Sequence, residues 1–263
     1  MTSVAMDSTG LLDRIVKSKK NEIEALSDYD FDLSAEYSPP LFYNSLQRPA
    51  RESVRIIAEC KKASPTMGLI RQDYDAGAIA REYASLGASA LSVLTDREFF
   101  QGRVEDLIAA RASGLPILRK DFIISPKQIF ESRAIGASAI LLIVRILDDF
   151  QLRDFIQISR SIGLDALVEI HNHAEMERAL KFDASIIGIN HRDLDTLVID
   201  LSLTERLSPE IRSAKGDVLI VAESGVESRE GRKRIDPHVD AILIGTGLIK
   251  NKSISDAWKK IFD

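Results

Sequence analysis

With a single cysteine, Cys60, among its 263 residues, the chain cannot close an intramolecular disulfide. That fits a reducing compartment, and the cytoplasm is the expected location. Also missing is any run of about 18 apolar residues, the length a membrane-spanning helix needs, so no membrane partner is expected. The opening MTSVAMDSTG lacks the basic segment and apolar stretch of a secretory signal. Positive charge is not in excess: 35 Lys and Arg against 40 Asp and Glu leave a net charge of −5. A nucleic-acid binder normally carries a basic patch or stripe, so no nucleic-acid partner is expected. The one dense basic run, REGRKR from Arg229 to Arg234, reads as a solvated helix face. An anionic ligand must then be held by a locally positive pocket, not by the field of the whole protein.

What the chain does contain is a rhythm. Short runs rich in Val, Ile, Leu and Ala recur at Ser53–Glu59, Ala88–Leu94, Pro116–Arg119, Ser138–Val144, Asp165–Ile170, Ser185–Asn190, Asp217–Ala222 and Val239–Ile244. They are apolar without clean alternation, as parallel strands covered on both faces should be. Helical periodicity fills the gaps, as in AGAIAREYASLG, where Ile79, Tyr83 and Leu86 share a face. LGASALSVL and IGASAILLI echo each other, placing Gly87 and Gly136 where a left-handed residue ends a helix. FDASIIGI and HVDAILIG are looser copies. Eight strands alternating with helices predict an α/β fold of the (β/α)8 TIM-barrel type. The open doubly wound sheet is the alternative, but no G-x-G-x-x-G follows the first strand.

The expected domain organisation is a helical extension over residues 1–48 and a catalytic barrel over 49–263. Leu11, Leu12, Ile15, Val16, Ile23 and Leu26 form a helical stripe predicting a helix over 9–27, and LFYNSLQ a second, shorter one. Whether this extension caps a barrel mouth or packs beside it is open at the level of sequence.

The apolar runs end in polar groups. The first delivers Glu59 and Lys61, two residues apart and so on one strand face. LPILRKDF delivers Lys120, DALVEIH Glu169, SIIGIN Asn190, and VLIVAESG Glu223 and Ser224. In a barrel, C-terminal strand ends converge on one site. After the last two strands, AESG and IGTG are glycine-bearing turns at the place where many barrels hold phosphate on backbone N–H groups. A phosphorylated small molecule is the expected ligand.

These motifs resemble those of the indole-3-glycerol phosphate synthase family. The resemblance rests on IAECKKASPT, LRKDFI, LVEIH, IGINHR, AESG and LIGT, in order, together with the opening LLDRIVKSKKNEI, and covers almost the whole chain. It implies a lyase of tryptophan biosynthesis that closes 1-(2-carboxyphenylamino)-1-deoxyribulose 5-phosphate to an indole with loss of CO2 and water. It implies Lys120 as general acid on the ketone oxygen and Lys61 on the substrate carboxylate, oriented by Glu59. Glu169 would be the base, or the acid–base partner in the dehydration, suited by a pKa that burial raises, while Asn190 would hold a sugar hydroxyl and Glu223 and Ser224 support the network. Ser64 is expected beside the carboxylate and Phe100 against the anthranilate ring. Arg192, Gly225, Gly245 and Thr246 are expected at the phosphate, with Leu243, Ile244 and Lys62 as weaker members of that end. The segment from Lys61 to Pro65 is expected to be a mobile loop. No cofactor or metal is implied, the partner being an anionic substrate with a carboxylate and a phosphate, and the protein a monomer or weak homo-oligomer. Thr66 and Gly247 depart from the pattern, where serine and a larger small residue are usual.

Glu169, His171 and His173 form E-x-H-x-H, which on a continuous strand would share a face and suggest a metal site. NHAEME reads instead as a helix start, giving the histidines loop and capping roles. His191 is expected to point away from the site, His238 to face solvent, and Cys60 to be buried on the strand face opposite Glu59. Rival functions are a phosphate-binding isomerase, which needs a cysteine or aspartate pair, a Schiff-base aldolase using Lys120, and an inactive ligand-binding barrel.

Overall fold

The structure is a computed structural model that describes residues 10–26, 39–48 and 53–262. Eight parallel strands close into a barrel: β1 (Arg55–Cys60), β2 (Ala90–Leu94), β3 (Ile117–Lys120), β4 (Ala139–Ile143), β5 (Asp165–Ile170), β6 (Ile186–Asn190), β7 (Leu219–Glu223) and β8 (Ala241–Ile244). All eight expected strands form, and β1 pairs with both β2 and β8 to complete the ring. The helices between them are α3 (Ala76–Ser85), α4 (Val104–Ala110), α5 (Pro126–Ala134), α6 (Asp149–Ser161), α7 (His173–Lys181), α8 (Ser202–Ala214), α9 (Arg229–Ile235), α10 (Thr246–Ile249) and α11 (Ile254–Phe262), preceded by α1 (Leu11–Glu24) and α2 (Phe42–Leu46).

Local chemistry explains the units. Asp75, Ser125, Asp148 and Asn172 each cap the helix that follows by accepting a backbone N–H. Gly87 and Gly136 adopt φ of 91° and 87° at the helix-to-strand turns, as their echo predicts. In the looser copy FDAS the same turn falls to Asp183, at φ 61°, a conformation that Asp tolerates better than most residues.

Strand period explains the two cores. Residues such as Ala58 and Cys60 face outward into the layer between barrel and helices, whereas Ile57, Leu118, Leu167, Leu219 and Leu243 fill the interior. Phe42 and Leu46 of α2 join the interior cluster. The Tyr43 N–H donates to Asp165 Oδ2 (2.8 Å) and its hydroxyl to the Asp217 carbonyl (3.0 Å), so α2 plugs the mouth where β5 and β7 begin. Helix α1 lies at the opposite mouth. Its buried Lys19 contacts Asp121 (2.9 Å) and Asp96 (3.1 Å), just past the C-terminal ends of β3 and β2. The extension thus contributes a helix to each end of the barrel.

Two expectations need correction. The segment after β1 is not a simple loop: Ala63–Ser64 pairs antiparallel with Gly68–Leu69 in a small hairpin. His238 is half-buried, in a 3-10 turn before β8. The ends of the expected helix over 9–27 and the boundary at 48/49 fall on or beside residues outside those described.

Candidate active site

Five of the inward series along the strands run apolar and then end polar. Ile57 leads to Glu59, Leu118 to Lys120, Leu167 to Glu169, Ile186 to Asn190, and Leu219 and Val221 to Glu223. Closing the barrel brings these ends together around a cavity of about 400 Å³. Glu59, Lys61, Lys120, Glu169, Asn190, Glu223 and Ser224 all line it, as do Ser64, Phe100, Arg192, Gly225, Leu243, Ile244, Gly245 and Thr246. Lys62 does not. It belongs to a shallow surface depression with Arg97 and Arg103, because period two turns it away from the face that Lys61 occupies.

Lys120 is the hub. Its Nζ donates to Glu169 Oε2 at 3.0 Å and to Glu223 Oε2. Burial opposes the ammonium, but Glu169, Glu223 and Glu59 outweigh it and push the Lys120 pKa above the ordinary lysine value. For Glu169 burial again works against charge, yet Lys120 and His171, with hydrogen bonds from Lys120 and Asn190, hold its pKa down to about 2. The carboxyl that is raised is Glu223, pushed up to about 7 by burial and by the neighbouring Glu169 charge against the pull of Lys120. This reverses the expectation for Glu169. Two carboxylates share one cation, and the contacts of Glu169 with His171 and Asn190 favour its charged form. On the adjoining wall Glu59 Oε1 meets Lys61 Nζ at 2.7 Å, the pair expected from their two-residue spacing.

Two glycines make room for these acids. A Cβ on Gly188 would collide with Glu223 Oε1, and one on Gly245 with Glu59 Oε1. At the far end, Ser224 and Gly225 both adopt left-handed φ, 66° and 81°, and Gly245 opens α10. The Arg192 N–H donates to Asn190 Oδ1 (3.1 Å) and its guanidinium to the Leu197 carbonyl (3.3 Å). A Cβ on Gly247 would lie 3.3–3.4 Å from Glu227, Ile244 and Val226, a tight fit.

Sequence reading missed the apolar wall. Phe122 lines the cavity with its ring 6.2 Å from that of Phe100, and Leu11, Leu12 and Ile15 of α1 line it too. Phe122 lies two residues beyond Lys120, so the same period-two rule could have found it. Gly188 carried no local signal, since its constraint comes from another strand.

The histidines separate. His171 is buried between Glu169 and Glu175, while His173 sits on α7 with Nε2 2.9 Å from Glu210. His191 is buried outside the cavity lining, bonded to the Ser224 carbonyl (2.9 Å) and Thr204 Oγ1 (2.6 Å). Burial lowers its pKa. Cys60 is fully buried, and burial, followed by Glu59 and Asp106, raises its thiol pKa. Among the described residues no group of three or more His, Cys, Asp or Glu is placed to hold a metal ion, and no helix is long and apolar enough to cross a membrane.

Comparison with known proteins agrees with this geometry. The family model described as indole-3-glycerol phosphate synthase matches residues 12–261. An indole-3-glycerol phosphate synthase of Chlorobium chlorochromatii is 47% identical over 246 residues, covering 90% of this chain and 94% of its own length. One from Leptospira interrogans is 43% identical over 258 residues, covering 96% and 97%. One from Legionella pneumophila is 40% identical over 264 residues, covering 95% and 98%. Among solved structures, the thiamine phosphate pyrophosphorylase of Pyrococcus furiosus superposes with a TM-score of 0.58 at 14% identity, over 79% of this chain and 93% of that one, a likeness of fold alone. By the family match and by these relatives, the chain belongs to the indole-3-glycerol phosphate synthase family.

Proposed function

We propose that this cavity closes 1-(2-carboxyphenylamino)-1-deoxyribulose 5-phosphate to indole-3-glycerol phosphate, with Lys120 as acid and Glu169 as base. As a family member the chain is a carbon–carbon lyase of tryptophan biosynthesis and takes a small phosphorylated substrate. The observation that carries the residue assignment is the Lys120 ammonium held between Glu169 and Glu223 at the end of an apolar barrel interior.

Ring closure places negative charge on a ketone oxygen as an aromatic carbon attacks it. A charged, fixed ammonium is suited to donate there, and three nearby carboxylates keep Lys120 in that form. Lys61, oriented by Glu59, pairs with the substrate carboxylate until it leaves as CO2, with Ser64 beside it. Phe100, with Phe122 next to it, packs on the aromatic ring. In the dehydration Glu169, ionised and facing Lys120, accepts the proton lost from the sugar carbon, while Asn190 holds a hydroxyl. Glu223, with a pKa near neutrality, supplies or accepts a hydrogen bond at Lys120 as charge moves, and Ser224 supports that network. The phosphate is received by Arg192 and by the backbone at Gly225, Gly245 and Thr246, beside Leu243 and Ile244.

The same charge state counts against a Schiff-base aldolase, which needs a neutral lysine amine. We take residues 1–48 as the extension and 49–263 as the catalytic barrel. A single cysteine suits a reducing compartment such as the cytoplasm, and we take the protein as a monomer or weak homo-oligomer. The test is incubation with the carboxyphenylamino sugar phosphate while following indole fluorescence. Growth of that signal with equimolar CO2 is expected; intact substrate after prolonged incubation would overturn the reading.

A further inference from the structure

One member of the E-x-H motif, His171, has no part in the chemistry above, yet its ring is buried directly behind Glu169. Nε2 lies 3.4 Å from Glu169 Oε1, and Nδ1 lies 3.1 Å from Glu175 Oε2. Glu175 is itself fixed, accepting from the His171 backbone N–H at 2.7 Å and from Asn172 Nδ2 at 2.9 Å, as part of the cap of α7. Asn172 is exposed. A carboxylate, an imidazole and a second carboxylate therefore run in line from the cavity wall to the surface start of a helix. The Nε2 atom makes no hydrogen bond among the described residues and is buried, aimed at Glu169.

The reaction consumes a proton that such a line can supply. The substrate carboxylate departs as neutral CO2, and the electron pair of the broken C–C bond returns to the ring. The ketone oxygen takes up two protons, one at ring closure and one as it leaves as water. The carbon beside nitrogen gives one back, to Glu169. One proton per turnover must therefore enter from solvent and reach Glu169, whose side chain is only 3% exposed at the floor of the cavity. Glu169 can return its own proton to Lys120 across their 3.0 Å contact. The second has to reach this pair by another route.

We propose that His171 is the proton-exchange partner of Glu169, passing inward from the Glu175 side the proton that each turnover consumes. Imidazole is suited to this because its two nitrogens let one proton arrive as another departs. The charged groups facing His171 are Glu169 on β5, which His171 directly follows, Glu175 on α7 and Glu223 on β7, with Lys120 of β3 beyond Glu169. Burial lowers the His171 pKa, but the Glu175 hydrogen bond and these carboxylates prevail and raise it. His171 is thus a positioning and relay residue acting through Glu169, and the proposal rests on Glu169 being the base.

The test uses the whole chain and compares His171→Gln, Glu175→Gln and Glu169→Gln for kcat, KM and pH profile. His171→Gln keeps an amide in place but carries no exchangeable charge. Its kcat is expected to fall about tenfold, less than the loss of a direct acid–base group, with KM within about twofold. Glu175→Gln leaves the backbone cap, Glu175 N–H to Asn172 Oδ1, in place while removing the anion that raises the imidazole pKa. The alkaline limb of kcat, where His171 loses its proton, is expected to move to lower pH. Wild-type rate and profile in His171→Gln overturn the proposal, as does a slowed Glu175→Gln enzyme whose limb has not moved, which marks a packing role. If circular dichroism shows His171→Gln unfolded, the Glu175→Gln limb decides alone. Near-wild-type turnover in Glu169→Gln would instead overturn the base assignment, and so separates the two failures.

Discussion

Lys120 Nζ stands 3.0 Å from Glu169 Oε2 although the two lie 49 residues apart and on strands with β4 between them. Barrel curvature closes that gap, and burial gives the contact its strength. Because Glu169 and Glu223 both face the same ammonium, removing it takes from both buried acids their lysine partner and leaves Glu169 with the His171 imidazole. Lys120→Ala is therefore expected to lose activity by a factor on the order of 10² to 10⁴, with the Glu169 carboxyl titrating at higher pH than in the wild type. Activity assays and carboxyl NMR titration check the two effects.

Borohydride added during turnover is expected to leave no covalent adduct on Lys120, since the surrounding carboxylates keep its amine protonated. Mass spectrometry of the intact chain reads this. A trapped substrate mass on Lys120 would favour the aldolase chemistry.

Gly188→Ala puts a methyl group into the space of the Glu223 carboxyl. It is expected to cost about 1–3 kcal/mol in denaturant unfolding and to depress kcat by displacing Glu223 from Lys120. Gly245→Ala should act in the same way through Glu59.

Much of this arrangement was legible in the sequence because strand period and barrel closure are both local rules. Ile57 before Glu59, Leu118 before Lys120 and Leu167 before Glu169 each state which face is inward and where it turns polar. What was illegible depends on partners distant in the chain. The ionisation of Glu169 is set by Lys120, His171 and Asn190 together, so burial alone pointed the wrong way. Gly188 is small because of Glu223, and the stripe of α1 showed that it packs without showing that it lines the cavity. The hairpin at Ala63–Ser64 is too short to leave a periodic pattern.

The anchor of α1 predicts an acid-sensitive stability. Lys19 and Asp121 are both buried, and Asp121 resists burial because Arg119 and Lys19 hold its pKa down to about 2. Its folded value lies below its unfolded value of 3.8, so the stabilisation is complete above about pH 4 and is lost as pH falls towards 2. The loss amounts to about 2 kcal/mol from this group. Lys19→Met leaves Asp96 and Asp121 without that cation and is expected to lower stability by about 3–5 kcal/mol at neutral pH. Urea unfolding at pH 7 and pH 3 checks both statements.

The most direct test of the central assignment is single-turnover formation of indole-3-glycerol phosphate by the wild type, Lys120→Ala and Glu169→Gln. The wild type is expected to develop indole fluorescence. Both variants are expected to bind the sugar phosphate and keep a folded circular-dichroism spectrum while forming product slower by a factor on the order of 10² or more. Near-wild-type product formation in either variant would contradict the roles given to Lys120 and Glu169.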